Sequence, residues 1–336
     1  MKFLVRTGVV LIILLIVYLV GPKVQFLEIE PPGIDPWNIS LDSLDKYVKI
    51  KDLEILKLKP NNESRIIWAD SLRKTRYSVV YLHGFSASPM ESNPVPFEFA
   101  KAFGFNLYLP LLPGHGRDDR ESFVDLQPND LIVAAKEAIA IGQLLGEDVI
   151  VMSCSTGSTL SIYLAGANKE IIDALIMYSP NIELEDPTAK MITMPWGMQI
   201  MKAVTGDYWN PNGEGEGDGL KYWTTTYRTE GLLALQALLD RTMKPEIFKL
   251  VTQPYFIGYY YKNEEEKDPT ISIEAITWFD KHTSTPERMK ELVAFPGAGG
   301  HVITNPIKSQ ASEEVLLATM HYTESVLKLL PKDTLK

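Results

Sequence analysis

Short apolar runs and helical patterns alternate along most of the 336-residue chain. Several of the runs are continuously apolar, which is typical of parallel strands covered by helices on both faces. Residues 47–58 and 65–69 predict two opening antiparallel strands, and further strands are predicted at 78–82, 105–110, 148–153, 174–179, 254–260 and 291–295. Helical patterns lie at 129–145, 157–167, 272–281 and 313–330. This repetition predicts an α/β fold with a mostly parallel, doubly wound sheet and right-handed crossovers.

One interval interrupts the alternation of strands and helices. About 70 residues separate the strand that ends near residue 179 from the one that begins near residue 254, far more than a simple crossover needs. We interpret residues 181–250 as an inserted helical cap, and residues 46–180 and 251–336 as the core of the fold.

The amino-terminal pattern differs from the rest of the chain. Lys2 and Arg6 precede an unbroken apolar run at residues 8–20. The run has the length of a signal-peptide core, but a proline follows it and a small-residue cleavage site is missing, which favours an uncleaved membrane anchor at residues 1–21. The positive flank then predicts a catalytic domain outside the cytoplasm, with membrane contact through this segment. The alternative is a secreted or periplasmic protein after signal cleavage. Proline-rich residues 22–45 are interpreted as a stalk.

Composition narrows the possible functions. The chain has 33 Lys and Arg against 43 Asp and Glu, a net charge of −10 and a pI of about 5.1. Without a basic cluster it does not resemble a nucleic-acid-binding protein, since phosphate contacts need a positive surface. Cys154 is the single cysteine, which excludes an intrachain disulfide framework and thiolate zinc sites.

A serine near the middle of the chain has the setting of a nucleophile. Residues 153–157 (SCSTG) follow a buried strand and open a helix. A residue at such a strand-to-helix bend needs small residues two positions before and after it. Centring the bend on Ser155 gives Ser153 and Gly157 as flanks, whereas centring it on Cys154 gives the larger Met152 and Thr156. Ser155 is therefore the candidate nucleophile, with Ser153 where glycine is usual.

With this bend in place, the chain resembles serine hydrolases of the α/β-hydrolase superfamily, nearest to bacterial carboxylesterases and monoglyceride lipases. The resemblance covers roughly residues 65–330. It depends on residues 81–89 (YLHGFSASP), 112–116 (LPGHG), the bend at Ser155, and residues 297–303 (GAGGHVI).

The remaining catalytic parts follow from the residues and this resemblance together. A serine needs a base, and His301 stands on a glycine-rich loop after a predicted strand, in the chain order that the superfamily uses. The resemblance implies Asp268 as the acid, because it follows the strand after the cap. Backbone N–H groups of Phe85 and Thr156 would form the oxyanion hole. Alternatives for the acid stay open at Glu264, Glu265, Glu266, Glu183 and Asp186.

The resemblance implies a serine esterase or lipase that needs no cofactor and no metal and acts on a small-molecule or lipid ester. Methionines and aromatics at residues 191–209 suit an adaptable apolar wall for an acyl chain. We therefore expect lipophilic acyl esters, such as monoacylglycerols, as substrates. The alternatives are a non-catalytic binding protein of the same fold, or the same triad working as a peptidase, thioesterase or acyltransferase.

Overall fold

Buried strands build the centre of the fold. The structure, a computed structural model, describes residues 2–210, 217 and 219–332. Its strands are β1 (Arg65–Ile67), β2 (Thr75–Leu82), β3 (Asn106–Leu109), β4 (Gly146–Cys154), β5 (Ile172–Tyr178), β6 (Tyr208–Trp209), β7 (Tyr227–Arg228), β8 (Tyr255–Tyr259) and β9 (Lys290–Ala294). Its α-helices are α1 (Lys2–Leu19), α2 (Leu41–Leu53), α3 (Val95–Phe103), α4 (Pro128–Leu145), α5 (Thr156–Ala165), α6 (Gly197–Thr205), α7 (Gly219–Tyr222), α8 (Glu230–Thr242), α9 (Pro245–Phe248), α10 (Ile273–His282) and α11 (Ser312–Ser325).

Seven strands form the main sheet in the order β1-β3-β2-β4-β5-β8-β9. Only the edge strand β1 runs antiparallel within it, with Arg65 opposite Leu109. The predicted α/β fold with a mostly parallel sheet is thereby confirmed. The remaining two strands, β6 and β7, form a small antiparallel pair.

Helices cover both faces of the sheet, which explains the continuous apolar runs. Along β4, Val149 and Val151 face one core cluster, whereas Ile150 and Met152 face the other. The first cluster includes residues of α4, α5, α8 and α10, and the second includes residues of α3 and α11. Because successive side chains of a strand point to opposite faces, a strand covered on both sides must be apolar at every position.

The first predicted strand is wrong. Residues 41–53 form α2, and its buried positions are Leu44, Val48 and Asp52. This spacing of four places the three side chains on one face of a helix, and that helical period outweighs the β-rich composition of residues 47–58.

The predicted membrane anchor is also wrong. Helix α1 contains residues 8–19 of the apolar run, and these 12 residues rise only about 18 Å, against a hydrocarbon core of roughly 30 Å. Within residues 2–210, 217 and 219–332, no helix is both long and apolar enough to span a bilayer. The predicted membrane contact and the predicted localisation depended on this anchor, so they are wrong as well.

The segment predicted to be a stalk lies against the core. Asn168 accepts a hydrogen bond from the Ile34 N–H at 3.0 Å and donates one to the Pro32 carbonyl at 2.7 Å. Tyr163 donates to the Glu30 carbonyl at 2.8 Å. These contacts bind residues 30–34 to α5 and to the turn that follows it.

Residues 181–250, called the insert below, separate β5 from β8. The described part contains a 3₁₀ helix, Pro187–Thr193, together with α6 to α9 and the β6–β7 pair. Residues 211–216 and 218, which the predicted cap includes, lie outside the described residues. The insert therefore consists mainly of short helices placed in the chain just after the C-terminal end of β5.

Candidate active site

Ser155 occupies the bend between β4 and α5. Its backbone dihedral angles are φ 50° and ψ −117°, a region that residues with a Cβ rarely adopt. The Ser155 N–H donates to the Tyr178 carbonyl at 3.0 Å, and the Ser155 carbonyl accepts from the Ser158 N–H at 2.9 Å. The end of β5 and the first turn of α5 thus hold the bend. Such strained residues are common at functional sites and cost of order 1–3 kcal/mol.

The two flanks of the bend explain its unusual sequence. A Cβ on Gly157 would lie 2.0 Å from the Leu82 carbonyl oxygen, so only glycine fits there. The Ser153 hydroxyl is buried and lies 3.0 Å from that of Ser158 and 3.1 Å from that of Ser161. Serine is tolerated in place of glycine because the start of α5 supplies these polar partners.

His301 is paired with Asp268. The His301 Nδ1 lies 2.7 Å from the Asp268 Oδ2, and Asp268 is fully buried. The other carboxylate oxygen accepts from the backbone N–H groups of Thr270 at 2.8 Å and Ile271 at 3.3 Å. These bonds fix both oxygens, so the ring carries its proton on Nδ1 and keeps Nε2 free.

The pair shifts both pKa values in the direction of an ion pair. Burial alone would raise the pKa of Asp268, but the charge of His301 and its hydrogen bond, with the two backbone N–H groups, lower it below its usual value. Burial alone would lower the pKa of His301, but the charge and hydrogen bond of Asp268, with the charge of Glu91, raise it. The site therefore stabilises the charged, imidazolium form of His301, which forms when the ring accepts a proton as a general base.

The alternative acids lie elsewhere. Glu264 accepts from the Tyr261 hydroxyl at 3.0 Å, and Glu266 lies 2.8 Å from the Lys262 ammonium. Glu183 pairs with Lys190, Asp186 bonds the Thr188 N–H and hydroxyl, and Glu265 is exposed. In the described structure, Asp268 is the acid that the fold brings to His301.

The loop after β2 is held from two sides. The His83 Nε2 accepts from the Leu112 N–H at 3.0 Å, so its proton is on Nδ1, which donates to the Gly84 carbonyl at 2.9 Å. Burial lowers the pKa of His83 well below its usual value, so the ring stays neutral. The carbonyl of Gly84 and the N–H of Phe85 belong to one peptide unit. His83 therefore fixes the plane of the peptide that carries the predicted oxyanion donor.

Most of the predicted site residues line one cavity. It has a volume of about 750 Å³, and its lining includes Ser155, Thr156, Phe85 and His301. Asp268 lies behind His301 and does not line the cavity. The insert supplies much of the apolar and aromatic lining, including Leu184, Trp209, Trp223, Tyr227, Leu232 and Leu235.

A second cavity of about 430 Å³ adjoins the first. Its lining is mostly apolar and includes Met191, Met194 and Met201 of the insert. Both cavities share four lining residues: Leu184, Trp209, Leu232 and Thr270. Three of the four methionines in the predicted apolar wall thus line a space that adjoins the cavity of Ser155, and Met198 does not line it.

The sequence did not single out Glu91, a buried carboxyl that also lines the first cavity. The sequence shows only an acidic residue in the loop that follows His83, and acidic residues in loops are normally solvated. Among the described residues, no cluster of three His, Cys, Asp or Glu side chains is arranged to hold a metal ion.

Comparison with known families identifies the fold. A model of the alpha/beta hydrolase family matches residues 79–316. The chain belongs to the alpha/beta hydrolase family. This confirms the resemblance that the motifs around Ser155 and His301 indicated. A comparison with curated protein sequences found no significant match.

Solved structures of α/β hydrolases are similar in fold. A structure reported for the metagenome-derived lipolytic enzymes LipS and LipT is 17% identical, covers 79% of this chain and 98% of its own, and superposes with a TM-score of 0.64. A monoacylglycerol lipase from Paleococcus ferrophilus is 16% identical over 77% of this chain and 96% of its own, with a TM-score of 0.56. Est1E from Butyrivibrio proteoclasticus, with bound ferulic acid, is 16% identical over 79% of this chain and 95% of its own, with a TM-score of 0.52. At 16–17% identity, these neighbours show that the fold is shared.

Proposed function

We propose that this α/β hydrolase cleaves lipophilic carboxylic esters through an acyl-enzyme at Ser155. The observation that carries the proposal is the meeting of three features in one place. Ser155 stands at a strained bend, His301 and Asp268 lie within hydrogen-bond distance of each other, and Ser155 and His301 line the same cavity. A base, its orienting acid and a nucleophile that lines the substrate cavity are the parts that acyl transfer requires.

The reaction divides into two steps. His301 Nε2 takes the proton of the Ser155 hydroxyl while its oxygen attacks the ester carbonyl. The N–H groups of Phe85 and Thr156 bind the oxyanion, and His301 then gives its proton to the departing alcohol. Water, deprotonated by the same ring, attacks the acyl-enzyme, and His301 returns that proton to the Ser155 oxygen as the bond to the acyl group breaks and the carboxylic acid leaves. Asp268 keeps the tautomer of the ring unchanged and stabilises its charged form throughout.

The substrate class follows from the two adjoining cavities. In this proposal the insert is a cap over the catalytic cavity, and the acyl chain passes between Leu184, Trp209 and Leu232 into the second, methionine-lined cavity. Burying each CH₂ group there contributes about 0.8 kcal/mol, so affinity should increase with chain length. The similar fold of a monoacylglycerol lipase makes monoacylglycerols the first natural esters to test.

A panel of p-nitrophenyl esters from acetate to hexadecanoate tests this function, with monoacylglycerols as a second panel. We expect kcat/KM to increase with chain length from acetate to at least octanoate. Ser155→Ala should abolish turnover of every ester. Turnover that persists in this variant would refute the proposed nucleophile, and a preference for acetate would refute the acyl-chain site.

A further inference from the structure

Glu91 is a buried residue that lines the catalytic cavity. It belongs to the short 3₁₀ helix Pro89–Ser92, which follows the loop after β2, and only 2% of it is exposed. A buried carboxyl costs free energy unless hydrogen bonds compensate for its lost hydration. Its partners therefore indicate what the group does.

Those partners belong to the loop that carries the oxyanion donor. The Glu91 Oε1 accepts hydrogen bonds from the Gly84 N–H and, at 2.8 Å, from the Tyr81 hydroxyl. Gly84 directly precedes Phe85, and glycine adopts many backbone conformations. With its carbonyl held by His83 and its N–H held by Glu91, Gly84 has both polar backbone groups fixed. The peptide that presents the Phe85 N–H then has little freedom to rotate.

The same carboxyl also lies close to the nucleophile. A Cβ on Gly84 would be 3.2 Å from the Glu91 Oε2 and 3.2 Å from the Ser155 Cβ. Gly84 thus packs closely against both Glu91 and Ser155. A small displacement of Glu91 would change the distance between the oxyanion donor and the reacting carbonyl.

The helix that carries Glu91 is tied to the histidine loop as well. Ser92 lies within hydrogen-bond distance of the Tyr81 hydroxyl and accepts from Thr304 at 2.7 Å, and Asn305 donates to the Met90 carbonyl at 3.1 Å. Thr304 and Asn305 follow His301 closely in the chain. Residues 89–92 therefore connect the loop of the oxyanion donor to the loop of the base.

We propose that Glu91 is a positioning residue, which holds the Gly84 backbone so that the Phe85 N–H faces the oxyanion. The inference rests on the serine-hydrolase function proposed above. In this role Glu91 keeps the loop geometry through its hydrogen bond to Gly84 and transfers no proton.

The hydrogen bond does not require a charged carboxyl. Burial raises the pKa of Glu91 to about 7, against the opposite effect of the hydrogen bonds from Gly84 and Tyr81 and of the charge of His301. The charge of Glu91 also raises the pKa values of two other buried groups, the Tyr81 hydroxyl and the Cys154 thiol. A neutral carboxyl and a carboxamide both present a carbonyl oxygen, so glutamine can replace glutamate as the acceptor.

Two variants separate the hydrogen bond from the charge. Glu91→Ala removes the acceptor, and Glu91→Gln keeps the acceptor but removes the charge. Ser88→Ala is the matched control, because Ser88 is buried in the same loop and its hydroxyl has no hydrogen-bond partner within the described structure. Each variant is titrated to completion with a fluorophosphonate, so that kcat for p-nitrophenyl butyrate refers to competent sites alone.

For Glu91→Ala we expect kcat to fall about 10²-fold with little change in KM, since misplacing one oxyanion donor costs about 10²–10³ in kcat. The inhibition constant of a trifluoromethyl ketone, which forms the tetrahedral oxyanion at the serine, should increase by a similar factor. Glu91→Gln and Ser88→Ala should keep kcat within about threefold of the parent, since the hydrogen-bond acceptor remains.

Three results would overturn the inference: an unchanged kcat per titrated site in Glu91→Ala, an equal fall in Glu91→Gln, or a rise in KM with kcat unchanged. If Glu91→Ala does not fold, Glu91→Asp takes its place, because the shorter side chain withdraws the acceptor from Gly84, and the same criteria apply. A parent protein that neither turns over esters nor reacts with the fluorophosphonate would instead refute the function on which the inference rests.

Discussion

The His301 Nδ1 lies 2.7 Å from the Asp268 Oδ2, although 33 positions separate the two residues in the chain. Asp268 follows β8 and His301 follows β9, two neighbouring parallel strands. The carboxyl ends of parallel strands lie at one edge of a sheet, so their loops meet there. The same edge carries Ser155 after β4, which brings all three residues of the predicted triad to one end of the fold.

Removing the charge of Asp268 tests its role. In Asp268→Asn, the amide can present an acceptor or a donor to the ring, so the tautomer of His301 is no longer fixed. We expect kcat to fall by about 10⁴, the size of the effect in serine proteases. The matched control is Glu266→Gln, an exposed acid of the same loop that pairs with Lys262. Steady-state kinetics on p-nitrophenyl butyrate would contradict the assignment if the two variants behaved alike.

The pH dependence of kcat/KM should report the raised pKa of His301. The base must be neutral to accept a proton, so activity is lost as pH falls through this pKa. Asp268 and Glu91 raise the pKa, which places the acidic limb above the ordinary histidine value of about 6.5.

Replacing Glu91 tests the origin of the acidic limb in the pH profile of kcat/KM. Because the charge of Glu91 raises the pKa of His301, Glu91→Gln should move the midpoint to lower pH while the plateau rate stays close to that of the parent. Stopped-flow or plate-based rates from pH 5 to pH 9 measure the shift. A midpoint that moves to higher pH in this variant would contradict the described electrostatics.

Ser155 should carry backbone strain that can be measured. Ser155→Ala and Ser155→Gly both lack the hydroxyl, but only glycine adopts φ 50° without steric cost. Strain of about 1–3 kcal/mol outweighs the extra chain entropy of glycine, about 0.5–1 kcal/mol, so Ser155→Gly should be more stable than Ser155→Ala by about 1 kcal/mol. Urea denaturation of the two inactive variants provides the comparison. Equal stability would argue against a strained bend.

The boundary between the two cavities should control chain length. Leu232 lines both of them, so Leu232→Trp fills the passage with a larger side chain. We expect kcat/KM for p-nitrophenyl dodecanoate to fall by about tenfold or more, the loss of roughly two buried CH₂ groups, while that for the acetate changes little. Leu317→Trp, on the exposed face of α11, is the control. An equal loss for both esters would show that Leu232 has no part in binding the acyl chain.

Much of the core could be predicted because its strands are covered on both faces. Burial on both sides makes residues 149–152 of β4 and 174–178 of β5 continuously apolar, so the positions of these strands are visible in the sequence. In contrast, α2 was predicted to be a strand, because Tyr47, Val48 and Ile50 favour strands by composition while the burial of Leu44, Val48 and Asp52 follows a helical period.

The candidate site was predictable where chemistry imposes local patterns. The bend at Ser155 requires small flanks, and the glycine-rich loop at His301 is equally distinctive. Glu91 left no such pattern, since its burial depends on Gly84, Tyr81 and Ser92 meeting in three dimensions. The extent of the second cavity was also beyond prediction, because its walls combine the insert with Tyr18 of α1 and with the loop that follows Asp268.

Labelling with a fluorophosphonate tests the central claim most directly. The folded protein is incubated with the probe, digested, and the adduct is located by tandem mass spectrometry, with Ser155→Ala and heat-denatured protein as controls. The account predicts one stoichiometric adduct on Ser155 in the folded protein and none in either control. An unlabelled folded protein, or an adduct on another residue, would contradict it.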